Sequence, residues 1–428
     1  MLSSFIIKNF RSVLELKLDF SYGERKAPNG YQDLEVLPFI EAGNKHRLVP
    51  CMAFFGANAS GKTNLLKALA VLKLMVLAGP KLSEVFEPNL LNKKFTDTTF
   101  TVELLSDGEC FEYSVTYNAK EILAEALTKN GESLYTVNRL TAEFSPQITS
   151  ETYSRQKLSD ILRVECSDGE GRQTKLFLNR IGRSYRGLNS DLSNAFGFFT
   201  KSLNLLINSE TVLLPVAVEY LASTFNDDED AALREITDFV RRLDIDIAAI
   251  DIVQKELPKG EETPLGITKI NQETGGKHSL LITTTHKDSF GKLTLLDFIK
   301  HESAGTQRLA GLMGLVIHAL KTGSVLLVDE LECSLHPLLL REIVMLFKTR
   351  RHNEKGAQLI VTTHNTDILD DAILRLSEIA LVKKTPANGT LVRRLVDLKE
   401  DGEDIRNVTN FRKQYLAGFY SGVPHPAL

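Results

Sequence analysis

An α/β fold, with a phosphate-binding core assembled from both ends of the chain, is predicted by three stretches. Gly56-Ala57-Asn58-Ala59-Ser60-Gly61-Lys62-Thr63 fits the P-loop pattern G-x-x-x-x-G-K-[ST]. Ser324 to Val328 is an apolar run of strand length that ends in Asp329-Glu330, and Gln358 to Thr363 is another that ends in His364. A glycine loop followed by two buried strands, each closing on polar groups, is the order of a parallel sheet whose strand ends carry a site.

Each element follows from local pattern. Ser4 to Lys8 and Val13 to Phe20 read as two strands turned at Asn9 to Ser12, the second strictly alternating. Residues 21–48 hold Gly23, Pro28, Gly30, Pro38 and Gly43 and read mostly as loop. Val49 to Phe55 is the strand before the P-loop. After it, Leu65, Leu66, Leu69, Leu72 and Val76 fall on one helical face, with Lys67 and Lys73 off it. Thr99 to Leu105, Cys110 to Tyr117 and Ile122 to Leu127 read as strands of a small antiparallel lobe, with a turn at Ser106 to Glu109. Residues 145–210 are polar and give no clear period. Thr211 to Phe225 and Asp230 to Leu243 have helical spacing, the second through Leu233, Ile236, Phe239, Val240 and Leu243; Pro215 interrupts the first, so no long coiled coil is expected. Residues 255–277, rich in Gly, Pro, Lys and Glu, read as a surface loop or hinge. The expected division is 1–140, an N-terminal half with P-loop and lobe; 141–275, a mainly helical insertion; and 276–428, a C-terminal half.

The bulk numbers narrow the class. A chain of 428 residues with 43% hydrophobic and 25% charged residues is ordinary for a globular protein. Lys and Arg total 51 against 55 Asp and Glu, a net charge of −4, so no global basic field points to nucleic acid. Cys51, Cys110, Cys166 and Cys333 form no C-x-x-C pair and read as reduced thiols of a cytoplasmic protein. No stretch reaches the about 18 apolar residues of a membrane span, and Met1 to Phe20 has no cleavable apolar core.

The motifs imply particular chemistry. Glycines let consecutive N–H groups turn around phosphates, and a helix N-terminus adds partial positive charge. Lys62 would reach the β/γ-phosphates of ATP, and the Thr63 hydroxyl would hold Mg²⁺ with Asp329. Glu330, pointing past the strand end, is placed to orient or deprotonate water. Ser303 is an N-cap for the apolar helix running to Leu320, and Gly305 permits close approach to a phosphate there. His364 at its strand end can touch the γ-phosphate. Arg172, Lys175, Arg180, Arg183 and Arg186, with Phe177 and Tyr185 interleaved, read either as a nucleic-acid contact or as a solvated face.

With "KNFRS" at Lys8 to Ser12, "ESAGTQRL", "LLVDELECSLHPLL", "QLIVTTHNTDILD" and the closing "NFRKQYLAGFYSGVP", the chain resembles the ABC-type ATPases of the SMC, RecF and OLD superfamily. Within it, the wording resembles the stand-alone ATPase subunits of bacterial anti-phage and abortive-infection systems, the AbiL, RloA and PARIS AriA group. The resemblance implies an ABC-type head with an antiparallel lobe and a helical insertion, binding ATP and Mg²⁺. It places Arg11, Asn58, Ser60, Gly61, Lys62, Thr63 and Asn64 at the nucleotide. Ser303 and Gly305 become a signature acting in trans, Ser334 and His336 a D-loop, Asp329 and Glu330 Walker B, and His364 the switch. It further implies a homo-oligomer with shared ATP sites, a separately encoded effector of Toprim-like nuclease type and a phage-derived trigger. Two departures stand out: no Q-loop glutamine is assignable in residues 78–130, and no Toprim-like acidic cluster follows His364. The rival reading is a RecF-like DNA-binding ATPase of repair or replication.

Overall fold

The structure, a computed structural model, describes residues 1–23, 27–28, 30–43, 46–91, 94–185, 187–207, 214–225, 228–243, 246–256, 268–270, 277–385, 389–400, 403–404 and 411–419. The chain clusters into two compact units: Met1–Ile207 with Thr322–Glu332 and Leu340–Leu428, and Asn208–Lys321 with Cys333–Leu339.

The first unit is built on one thirteen-stranded sheet. In chain order its strands are β1 (Leu2–Phe10), β2 (Val13–Asp19), β3 (Cys51–Phe55), β4 (Thr98–Ser106), β5 (Glu109–Tyr117), β6 (Ile122–Lys129), β7 (Glu132–Asn138), β8 (Thr141–Phe144), β9 (Leu203–Leu206), β10 (Val325–Val328), β11 (Gln358–Thr363), β12 (Ile379–Thr385) and β13 (Gly389–Arg394). Their order across the sheet is β8-β7-β6-β5-β4-β1-β2-β13-β12-β3-β11-β10-β9. Strands β12, β3, β11, β10 and β9 are mutually parallel, and the remaining pairs are antiparallel. The two kinds of pairing meet at β12, which is parallel to β3 and antiparallel to β13, and β13 joins β2 through a single register pair, Gly389 opposite Val13. Because β3, β11 and β10 are parallel neighbours, their C-terminal ends share one edge. The P-loop, His364 and Asp329 therefore start from adjacent positions.

The P-loop helix α1 (Lys62–Ala78) buries the predicted face, Leu65, Leu66, Leu69, Leu72 and Val76. Lys73 lies off that face, and its amine donates to the Leu203 carbonyl. The antiparallel lobe has five strands where three were expected. Glu132–Asn138 and Thr141–Phe144, to which the sequence reading assigned no element, are its outer strands.

Helices α2 (Arg155–Glu165), α3 (Phe177–Ser184) and α4 (Ser190–Gly197) cluster with this unit although the sequence reading put 141–275 in one insertion. The reason is burial: Leu158, Leu162, Phe177, Leu178 and Phe199 join α1 and the lobe in one apolar core. A buried carboxylate fastens α3 there. Glu125, 1% exposed, accepts from Tyr113 Oη at 2.9 Å, Tyr135 Oη at 2.9 Å, and the backbone N–H of Phe177 at 2.7 Å and Leu178 at 2.9 Å. Burial raises its pKa, while those bonds oppose the shift. Glu125→Leu orphans two hydroxyls and two helix N–H groups, so it is expected to lower stability by about 3–5 kcal/mol, at about 1–3 kcal/mol for each buried group left unsatisfied and less the gain from an apolar side chain. A urea titration reads this as a lower midpoint, and an unchanged midpoint would show that the cluster is not stabilising.

The second unit holds the helices Leu214–Ala222, Glu229–Arg242 and Ala304–Thr322. A Cβ added to Gly314 would lie 2.8 Å from that of Ala217, so the first and last of these pack with little room. A four-stranded antiparallel sheet joins them, from Ala249–Glu256, Thr268–Ile270, Lys277–Lys287 and Leu293–Asp297. Most of the loop expected at 255–277 lies outside the described residues; Thr268–Ile270 within it is a strand.

Candidate active site

The P-loop is shaped by what presses on it. Ala59 and Gly61 take positive φ, 61° and 104°, which turns the loop into α1. A Cβ on Gly61 would sit 2.1 Å from Thr390 Oγ1 and 2.8 Å from Ser12 Oγ, and one on Gly56 would sit 2.3 Å from the Val382 carbonyl oxygen. Only glycine admits those neighbours. Thr390 Oγ1 donates to the Ser60 carbonyl at 3.0 Å and lies 2.7 Å from Ser12 Oγ, which accepts from Asn64 Nδ2 at 2.7 Å. Ser12, in the turn before β2, and Thr390 of β13 thus form the back wall of the loop. Neither Ser12 nor Thr390 is detectable from the octet, because both reach it from distant sequence.

Lys62 is 5% exposed, and its Nζ donates to the carbonyls of Gly56 at 2.8 Å and Ala57 at 3.1 Å. Burial lowers its pKa to about 8, opposed by the charges of Glu332, Asp329 and Glu330. Thr63 Oγ1 donates to Asp329 Oδ1 at 3.1 Å, and Thr362 Oγ1 donates to the same oxygen at 2.6 Å. Glu330 takes a positive φ of 50°, and its backbone N–H donates to Thr362 Oγ1 at 2.8 Å. That bend leaves Asp329 buried and presents the Glu330 side chain at the surface. His364 Nδ1 is 3.4 Å from Lys62 Nζ. Burial, then the Lys62 charge, lowers its pKa, which favours a neutral imidazole at pH 7.

Arg11 has φ 49° at the β1–β2 turn. Its guanidinium meets Asn64 Oδ1 at 3.3 Å and Glu87 Oε2 at 2.6 Å. Asn58 is exposed at the loop tip, whereas Ser60 is buried with its hydroxyl lacking a hydrogen-bond partner. The residues fit a nucleotide phosphate with a hard cation. The N-cap of α1 has no side-chain acceptor, one buried hydroxyl is unsatisfied, and a hydroxyl and a carboxylate oxygen lie side by side.

In the second unit, Ser303 Oγ accepts from the Thr306 N–H at 3.1 Å, the predicted N-cap. Gln307 Nε2 ties down the preceding turn through the carbonyls of Phe298, Ile299 and Glu302. Glu302 Oε1 meets Thr284 Oγ1 at 2.6 Å and His286 Nε2 at 2.7 Å, anchoring that turn on the small sheet. A Cβ on Gly305 would lie 2.6 Å from the Ser334 carbonyl oxygen, so the turns at Gly305 and Ser334 pack together. Ser334 and His336 are exposed, Ser334 with φ 59°.

A family model described as "AAA domain, putative AbiEii toxin, Type IV TA system" matches residues 51–370, from the P-loop strand past His364. The chain belongs to this AAA-domain family. Among solved structures, the SMC head domain from Thermotoga maritima is similar at 13% identity, covering 92% of this chain and 98% of that one with a TM-score of 0.40. The Smc head domain of Pyrococcus furiosus, with an extended coiled coil and bound to the C-terminal domain of ScpA, is similar at 13% identity, 92% and 96% coverage and a TM-score of 0.41. No curated protein matches the chain. Membership of the AAA-domain family makes it a P-loop nucleotide-binding ATPase.

Three acids bear on Lys62 where the sequence reading named two; the third is Glu332, which no motif pattern marks. Glu87 and Thr362 were missed for the same reason. In the basic run, Arg172 pairs with Asp168 and Glu170, and Arg180 with Glu165; Arg186 lies outside the described residues. Among the described residues, no helix is long and apolar enough to cross a membrane.

Proposed function

We propose that the chain is the ATPase subunit of a bacterial anti-phage system of the AbiL, RloA and AriA kind. It binds ATP with Mg²⁺, assembles as a homo-oligomer around shared nucleotides and hydrolyses slowly. In the cytoplasm it holds or releases a separately encoded toxic effector of Toprim-like nuclease type when a phage-derived trigger appears. The observation that carries the ATPase reading is the convergence of Lys62, the Thr63–Asp329 pair, Glu330 and His364 at one sheet edge. The toxin named in the family description and the sequence motifs support the defence role.

The residues divide the work. Lys62 neutralises phosphate charge, and the α1 N-terminus and Ser60 bind phosphate oxygens. Mg²⁺, held at Thr63 and Asp329, would offset the remaining charge on the phosphates. Glu330 takes the proton of the attacking water, and the neutral His364 ring stands beside Lys62. Ser303 and Gly305 complete the site of another copy. A ligand at about a hundred times its Kd favours the closed assembly by roughly 2.7 kcal/mol per site, enough for ATP to act as glue and hydrolysis as release.

The test mixes two inactive variants, Lys62→Ala and Gly305→Trp. Neither should hydrolyse ATP alone. In a two-fold dimer each mixed pair restores one intact P-loop facing one intact signature, so the mixture should recover about a quarter of wild-type activity. An inert mixture, with mixed oligomers demonstrated by native mass spectrometry, would rule out a signature acting in trans.

A further inference from the structure

After β10 the backbone winds over the end of β11. The Glu330 N–H is taken by Thr362 Oγ1, and the Leu331 N–H by the Thr362 carbonyl at 3.1 Å. Leu331 is fully buried, which anchors the turn and sends the side chains of Glu330 and Glu332 different ways. Glu330 is exposed. Glu332 turns back, and its Oε1 accepts the backbone N–H of His364 at 2.5 Å. Its other oxygen, Oε2, is buried with no hydrogen-bond partner. A buried carboxylate oxygen left unsatisfied costs stability, so its presence calls for a reason.

The surroundings supply one. The N–H that Glu332 holds belongs to the residue whose ring nitrogen lies 3.4 Å from Lys62 Nζ. Among the three acids that bias Lys62 toward its charged form, Glu332 contributes most. Asp329 is committed to Thr63 and Thr362. Glu332 is the acid that ties the Walker B turn to the switch strand through a charge-assisted bond.

We propose that Glu332 is a positioning residue for the switch: its carboxylate clamps the His364 backbone N–H and so sets the ring of His364 against Lys62. The catalytic part of this inference rests on the ATPase reading above; the clamp itself does not.

Two variants separate acceptor from charge. Glu332→Gln keeps an oxygen for the His364 N–H, whereas Glu332→Met fills the same space without an acceptor. With ATP and MgCl2, Glu332→Gln, which keeps the acceptor and loses the charge, should lower kcat by less than about tenfold. Glu332→Met should lower kcat by about 10–100-fold, the worth of a bond to a charged group, with KM moved less than about threefold. In a His364→Ala background, Glu332→Met should cost nothing further, because its effect passes through that residue. A merely structural role would give independent, multiplying losses. In the nucleotide-free protein labelled with 15N-histidine, the His364 amide proton should resonate far downfield, stay there in Glu332→Gln and move upfield in Glu332→Met.

Wild-type kcat in Glu332→Met, equal losses in the Gln and Met variants, or multiplying losses with His364→Ala would each overturn the proposal. An ordinary amide shift in the wild-type protein would overturn it even if no ATP were hydrolysed. Should Glu332→Met not fold, Glu332→Gln still decides: a large loss of kcat sinks the clamp, and retention with an unmoved amide shift supports it.

Discussion

Glu330→Gln is expected to bind ATP as tightly as the wild-type protein and to hydrolyse it about two to four orders of magnitude more slowly, the usual worth of a positioned general base. The geometry separates the two properties. The backbone of Glu330 is fixed by Thr362 with φ 50° and its side chain is exposed, whereas Thr63 and buried Asp329 bond to each other. Glutamine can adopt the same backbone and size, so the phosphate-binding groups stay in place while proton acceptance is lost. Calorimetry with ATP and single-turnover hydrolysis check the two halves separately, and the ATP-bound assembly should accumulate. Wild-type turnover in this variant would remove Glu330 from the mechanism.

Lys62→Ala should weaken ATP binding by at least about a hundredfold, since it deletes a buried cation whose bonds to phosphate are each worth about 1.5–3 kcal/mol. It also leaves Asp329, Glu330 and Glu332 without the positive charge they surround. Like charges then meet the phosphates, which adds to the loss. Protection of cells against phage should disappear with it. The control is thermal unfolding, because Lys62 also donates to the carbonyls of Gly56 and Ala57. An unchanged ATP affinity in a folded variant would count against the P-loop reading.

The parallel edge beside the P-loop was legible because strand, loop and helix carry it in short windows. Val325–Val328 and Gln358–Thr363 are apolar runs of strand length, and the candidate residues Asp329 and His364 directly follow them. Ser303 was legible as a cap for a similar reason: one hydroxyl three residues before an acceptorless N–H is a local pattern. Strand β9 was not. Four residues, Leu203-Asn204-Leu205-Leu206, are too few for a period, and β10 beside them defines the strand. Tertiary partners also hid the lobe's outer strands and the placement of α2 to α4, since Glu125 and the α3 N–H groups are joined across 52 residues. Glu332 was hidden by its company, being one acid among several in "DELEC" until the backbone turn distinguishes its direction from that of Glu330.

The wall behind the P-loop has a consequence for how the protein comes into being. Thr390 and the Ser60 carbonyl it meets are 330 residues apart, and Thr390 and Ser12 are 378 apart. During synthesis at about 5–20 residues per second, the loop emerges roughly 15–65 seconds before its wall. Through that interval the glycine loop has sequence but no backing. A nascent chain therefore lacks a finished phosphate cradle until β13 is made, and a ribosome-bound fragment ending before residue 389 should show no tight ATP binding. Contacts this long-range also make folding slow. A product truncated before β13 is thus expected to lack the ATP binding that the proposed cycle requires.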